Sequence, residues 1–224
     1  MPVNSSARRK PYRLLVTAGP TREMLDPVRF LSNVSTGHMG YQVARQAKQM
    51  GFQVTLISGP TALTPPRGVH YKPVLSAEEM KRAVFKYWLK TDALIMTAAV
   101  CDYTPVQFSP SKIKRVKSKA VHFKRTTDIL EAVGKRKGNR LTVGFSLETE
   151  SVKLHAIQKL RKKNLDLIVA NWYGAGNNPF GDRRASMVLI DRKGKEKPFS
   201  RMTKVQIAKA LLKEVFRFLS AKKS

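Results

Sequence analysis

Short apolar runs alternate along this chain with stretches whose apolar residues recur at helical spacing. "RLLVTAG" (13–19) and "FQVTLIS" (52–58) are each halted by a Gly-Pro pair, and "DALIMTAAV" (92–100), "LTVGFSL" (141–147) and "LDLIVAN" (165–171) have the same character; "VHYKPV" (69–74) is a weaker example. Runs this short and this apolar read as strands buried on both faces. Between the first two, Met39, Val43, Ala47 and Met50 keep helical spacing and Gly51 ends the helix. Ser76 followed by Glu79 forms a capping-box signal ahead of "AEEMKRAVFKYW". Further helices are predicted from Asp128, over 151–164 and over 203–219, and a short strand near 120–125. "SMVLIDRKGKEKPFS" predicts a hairpin turning at "DRKGK". The alternation predicts an α/β fold: a doubly wound, mostly parallel, Rossmann-like sheet with a small antiparallel extension. Residues 13–220 read as one domain and residues 1–12 as a flexible basic tail.

Composition then narrows the function. There are 43 Lys+Arg against 15 Asp+Glu, a net charge of +28. Such a balance favours polyanionic partners. A nucleic-acid-binding α/β protein is one reading; a protein that handles polyanionic small molecules is the other. Zinc-finger spacing, the RRM aromatic signature and a helix-turn-helix pattern are all missing, which counts against nucleic acid as the main partner. A nicotinamide oxidoreductase would share the fold pattern, but G-x-G-x-x-G is absent, as is the Walker A loop. No window approaches 18 uninterrupted apolar residues, so no membrane span is predicted. The N-terminus lacks the apolar stretch of a secretory signal, and the single cysteine, Cys101, cannot form an internal disulfide; both fit the cytoplasm. His38, His70, His122 and His155 show no metal-ligand spacing, and no zinc site is predicted.

In open α/β sheets, ligands gather where strand order switches, beyond the carboxyl ends of the strands. Three loops qualify: "GPTREMLDPVRFLSNVSTG", "AAVCDYTP" and "ANWYGAGNNPFGD". In "SNVSTGHMG" the small residues and the helix start suit an anion, with donors from Asn33, Ser35 and Thr36; an ordinary Ser or Thr cap explains the same letters equally well. "KIKRVKSKAVHFKR" carries seven Lys/Arg in fourteen residues, either a solvated basic segment or one that closes over a triphosphate. Lys159 and Lys163 share a helical face, which by itself reads as a solvated charged surface. Asp102 and Asp128 sit just after a strand or at a helix start, where Asp128 can be a cap.

Taken in order, "TAGPTREMLDPVRFLSNVSTGHMGYQVA", "GFQVTLISGPTAL", "AAVCDYTP", "KIKR", "TTDIL", "VGFSLETE" and "QKLRKKNLDLIVAN" resemble the phosphopantothenoylcysteine synthetase family of coenzyme A biosynthesis, over roughly residues 13–191. The resemblance implies a ligase that joins 4'-phosphopantothenate to L-cysteine through an acyl-nucleotide, with CTP as the expected co-substrate and Mg²⁺ carried mainly by the phosphates. It implies a homodimer whose second subunit helps to hold phosphopantothenate. A flavin-dependent decarboxylase, fused ahead of the synthetase in many bacteria, is expected here as a separate protein. By matching position, Asn33 and Lys112 take the catalytic roles. Arg29, Ser35, Thr36 and Gly37 take substrate or phosphate contacts beside Asn33. Ala98, Ala99, Asp102, Lys112, Thr127, Asp128, Ile129, Leu130, Phe145, Lys159 and Lys163 take nucleotide contacts. The metal ligands are not assigned.

The chain departs from the family pattern at His38, Cys101, Arg115 and Thr127, and more markedly at Trp172 and Ala185. The last two flank one loop and bear on its contacts with nucleotide or partner subunit.

Overall fold

The computed structural model describes residues 10–115, 120–174 and 176–222. Residues 1–9 of the expected tail, and 116–119 of the basic block, lie outside the described residues. Tyr12 packs between Phe52 and Phe216, its ring centroid 6.3 and 5.8 Å from theirs.

The elements are β1 (Arg13–Ala18), β2 (Arg22–Met24), β3 (Phe30–Ser32), α1 (His38–Gln49), β4 (Gln53–Ser58), β5 (His70–Pro73), α2 (Ala77–Trp88), β6 (Ala93–Met96), β7 (Tyr103–Pro105), β8 (Phe123–Arg125), α3 (Ile129–Gly134), β9 (Leu141–Glu148), α4 (Val152–Lys162), β10 (Leu167–Trp172), β11 (Ala185–Asp191), β12 (Glu196–Met202) and α5 (Lys204–Ala221). Eight strands form the main sheet in the order β12-β11-β10-β9-β6-β1-β4-β5. The strands from β10 to β5 in that order run parallel, and the β11–β12 hairpin adds antiparallel strands at one edge. This is the doubly wound sheet with an antiparallel extension that the alternating pattern predicts.

Strand periodicity of two sorts the core. Leu14, Val16 and Ala18 of β1 face α1 and α5, whereas Leu15 faces the layer made by α2, α3 and α4. Both faces are therefore covered, as a parallel sheet requires. From β1 the chain winds to β4 and β5 on one side, then crosses back to β6, β9 and β10 on the other. The switch point lies between β1 and β6, and a crevice opens at their carboxyl ends.

Three local features differ from the sequence pattern. The apolar run 92–100 is strand only as far as Met96. Beyond it the chain peels off and is pinned alongside residues 19–21: Ala99 N–H donates to Gly19 O at 2.9 Å, and Thr21 N–H donates to Ala99 O at 3.2 Å. The strand expected near 120–125 pairs with β7 in a separate two-stranded sheet. Within the stretch that read only as a loop, β2 and β3 form a hairpin. Its turn is held by the fully buried Asp26, whose Oδ1 accepts the N–H groups of Val28 at 2.7 Å and Arg29 at 2.8 Å. The Ser76 cap is realised: its Oγ accepts Glu79 N–H at 3.2 Å.

Candidate functional site

The β2–β3 hairpin carries the chain back so that residues 33–37 lie at the mouth of the switch-point crevice. Helix α1 begins after Gly37, which has φ +78° and offers no side chain as a cap. Of the two readings open for this loop, the ordinary Ser or Thr cap is not the one realised. Thr36 Oγ1 instead lies 3.0 Å from His38 Nδ1 and accepts Gly181 N–H at 3.3 Å. The left-handed backbone at Gly37 is a conformation L side chains adopt at a cost. A Cβ there would also stand 2.7 Å from Thr61 Cγ2. At Gly40 a Cβ would meet Ala18 Cβ and Thr97 Oγ1, each at 2.5 Å, so its absence lets α1 lie directly on β1 and the loop after β6. The start of α1 thus presents uncapped backbone N–H groups, with the positive end of the helix dipole, to a cleft of about 410 Å³.

Asn33, Ser35, Thr36, Gly37, Ala98, Ala99, Asp102, Phe145 and Lys159 all line that cleft. Thr127, Asp128, Ile129, Leu130 and Lys163 line an adjoining basin of about 470 Å³, which shares Ala98, Val100, Asp102 and Phe145 with the first. Residues spread over 130 positions of sequence therefore meet in one continuous groove. Asn33 Nδ2 donates to Ala99 O at 3.1 Å, tying the first loop to the second.

Two lysines of the groove rest on carboxylates. Lys163 Nζ lies 2.8 Å from Asp128 Oδ2, and Lys159 pairs with Glu148, which His155 also approaches at 3.4 Å. Burial pushes the Asp128 carboxyl up, but its bonds from Lys163 and from Glu131 N–H outweigh this and hold it below the usual 3.8. Asp128 is also the cap its position suggests, accepting Glu131 N–H at 3.0 Å. Ser146 lines the cleft with its Oγ buried and without a hydrogen-bond partner among the described residues. Cys101 lies behind Asn33, 3.8 Å from its Nδ2. Burial pushes its thiol up from 9.0, so it is a protonated packing group and not a nucleophile.

Two of the matched positions stay apart from the groove. Arg29 and Lys112 are not among its lining residues. Arg29 is turned toward Asp26 at 3.3 Å and the carbonyl of Ile113 at 2.9 Å, and Lys112 is exposed. Trp172 and Ala185 are not lining residues either; Ala185 is core, and the loop between them is fastened by Asn177, whose amide bonds Trp172 O and Ser186 N–H and O. Sequence reasoning named the loop 170–182 but did not single out Asn171 or the Pro179–Gly181 wall within it, and it did not single out Ser146. Ser146 and Asn171 sit at the carboxyl ends of β9 and β10, and that placement was the available signal.

The sequence profile of the DNA/pantothenate metabolism flavoprotein C-terminal domain matches residues 10–219. The chain belongs to this family. It is 40% identical over 213 residues to the coenzyme A biosynthesis bifunctional protein CoaBC of Bacillus subtilis (strain 168), covering 94% of this chain and 52% of that protein. The chain thus spans about half the length of the curated relatives it matches. Among solved structures it is similar to the C-terminal domain of CoaBC, at 38% identity and a TM-score of 0.81, over 94% of this chain and 96% of that one. A mutant of Cab2 in complex with phosphopantothenate-cysteine shares the fold, with a TM-score of 0.80 at 15% identity, over 96% and 90% of the two chains. No helix among the described residues is long and apolar enough to cross a membrane.

Proposed function

We propose that this member of the family is a phosphopantothenate–cysteine ligase that uses CTP. The observation that carries the reading is the groove at the switch point. There Asn33, the uncapped start of α1 and the orphaned Ser146 hydroxyl face one space, and a second basin with its own cations adjoins it. The relatives' names and the ligand named in the Cab2 structure support it.

In this reading a carboxylate oxygen of phosphopantothenate attacks the α-phosphorus of CTP, and the bond to pyrophosphate breaks. The amine of cysteine then attacks the acyl carbon, a C–N bond forms, CMP leaves, and the amine loses its proton. Neither step calls for a tuned nucleophile on the protein. Both need anions held close together in the right orientation. The α1 N–H groups and Ser146 take phosphate oxygens, Phe145 and the backbone at Ala98 and Ala99 form the wall, and Lys159 and Lys163 turn from their carboxylates to the triphosphate. Asn33 holds the acyl-phosphate oxygens, and Lys112 reaches in from the adjoining segment. Mg²⁺ supplies charge neutralisation on the triphosphate. A metal held chiefly by phosphate oxygens and water asks little of the protein, and Asp102 is an exposed carboxylate on the wall that the cleft and the basin share.

A homodimer is part of the proposal. Val28, Phe30, Leu31 and Val34 on the β2–β3 side and Tyr103, Val106, Phe108 and Phe123 around β7–β8 are exposed apolar residues on contacting elements. Exposed apolar residues gathered on contacting elements suit a second copy of the chain. The cytoplasm and a flavin-dependent decarboxylase as upstream partner belong to the same proposal.

The test is pyrophosphate release by the purified chain with Mg²⁺, phosphopantothenate and L-cysteine, with CTP or ATP in parallel. Cysteine-dependent CMP formation is expected. AMP formation from ATP alone would retain the ligase and overturn the choice of nucleotide. No turnover with either, from folded protein, would overturn the ligase.

A further inference from the structure

The β2–β3 turn is bonded to a segment more than eighty residues away. Ser109 N–H donates to Leu25 O at 2.9 Å, Ile113 N–H donates to Asp26 Oδ2 at 3.1 Å, and Arg29 Nη1 donates to Ile113 O at 2.9 Å. Both backbone groups of Ile113 are therefore taken. The Asp26 carboxylate is divided between two tasks. Oδ1 holds its own turn through Val28 and Arg29 N–H, a task an asparagine oxygen performs equally well. Among the described residues, Oδ2 bonds Ile113 N–H and, at 3.3 Å, Arg29 Nη1. A fully buried carboxylate is costly unless its lone pairs are used, so the second oxygen implies a requirement beyond the turn. Burial would push Asp26 up; the bonds from Ile113, Val28 and Arg29 N–H and the Arg29 charge hold it below 3.8, ionised at neutral pH.

We propose that Asp26 and Arg29 form a clasp on Ile113 that sets where the neighbouring Lys112 projects, making Asp26 a positioning residue that acts through Lys112. The kinetic consequence rests on the ligase reading; the clasp itself does not. Asp26→Asn separates the two tasks, because it keeps an oxygen for the turn and replaces Oδ2 with an N–H₂ donor facing donors.

Two readouts decide the proposal. Hydrogen exchange on the intact chain reads the clasp without turnover. Asp26→Asn is expected to lose protection at the Ile113 amide while the Val28 and Arg29 amides keep theirs; unchanged protection at Ile113 overturns the clasp. Kinetics read the positioning. Asp26→Asn is expected to lower kcat about tenfold to a hundredfold with the nucleotide KM little changed. Adding Lys112→Ala is then expected to cost far less than it costs in the wild type. Full multiplication of the two losses, or a loss confined to KM, overturns positioning through Lys112. Should Asp26→Asn fail to fold, Arg29→Gln removes the bond to Ile113 O from an exposed side chain. The same coupling with Lys112→Ala is expected there, and independent losses overturn the proposal. A wild-type chain with no turnover would sink the ligase while the exchange result still stands or falls by itself.

Discussion

The two halves of the groove hold charge by different means. Around α1 the cleft leans on backbone, with an uncapped helix start, glycines that admit close approach, and the carbonyls and amides of the loop after β6, joined by the Asn33 amide and the Ser146 hydroxyl. The basin at α3 is made of side chains, with Lys163 resting on Asp128 and Asp128 capping a helix. Backbone donors need no partner to stay in place and cannot be exchanged by substitution, whereas a lysine needs a carboxylate to hold it until an anion arrives. The first half is therefore pre-organised and intolerant, and the second is adjustable.

The largest expected effect tests the first half. Asn33→Ala leaves the fold intact, because the side chain is exposed and the loop it bonds is also pinned by backbone bonds between Ala99 and residues 19 and 21. Turnover in the pyrophosphate assay is expected to fall at least about a hundredfold, the usual loss for one donor aimed at developing charge. A loss under threefold would break the contrast. Next comes Gly40→Ala, whose Cβ meets neighbours at 2.5 Å. Overpacking of this kind costs about 1–3 kcal/mol. At about 2–4 °C per kcal/mol the melting temperature drops by several degrees and nucleotide affinity falls with it.

In the second half opposite signs are expected. Lys163→Ala weakens triphosphate binding about tenfold, near 1.4 kcal/mol. Asp128→Asn keeps a good cap and frees Lys163, so binding tightens a few-fold. Calorimetric titration with CTP separates them, and loss in both variants would make Asp128 a ligand of the nucleotide. With its folded value lowered, Asp128 contributes stability that is present above pH 3.8 and disappears as pH falls through that lowered value.

The smallest effect comes from a cation with no such partner. Lys204 is buried at the start of α5, its Nζ has no hydrogen-bond partner among the described residues, and burial pulls its amine down to about 8 despite the charge of Asp182. The folded state then binds fewer protons than the unfolded one between about pH 8 and 10.5, and stability rises with pH across that window. Lys204→Met is expected to melt a few degrees higher than the wild type at pH 7, with the gap closing toward pH 10.5. A gap that does not depend on pH would show that packing, not charge, sets it.

Alternating apolar runs, stop signals at Gly51 and Gly59, and the Ser76 cap were all legible because each is decided by neighbours within a few residues. They determined the sheet, its mostly parallel sense and the loops at its carboxyl edge; Asn33, Ala98, Ala99, Asp102, Thr127–Leu130, Phe145, Lys159 and Lys163, which the resemblance singled out, line one groove. Contacts at long range were not legible. Only the tertiary structure decided that Gly37 and not a hydroxyl residue heads α1, that β8 joins β7 outside the main sheet, that Lys159 and Lys163 rest on carboxylates, and that Arg29 grips Ile113. Local pattern records which face of an element is buried, but the partner of a polar group is chosen by whatever the folded chain brings within 3 Å of it.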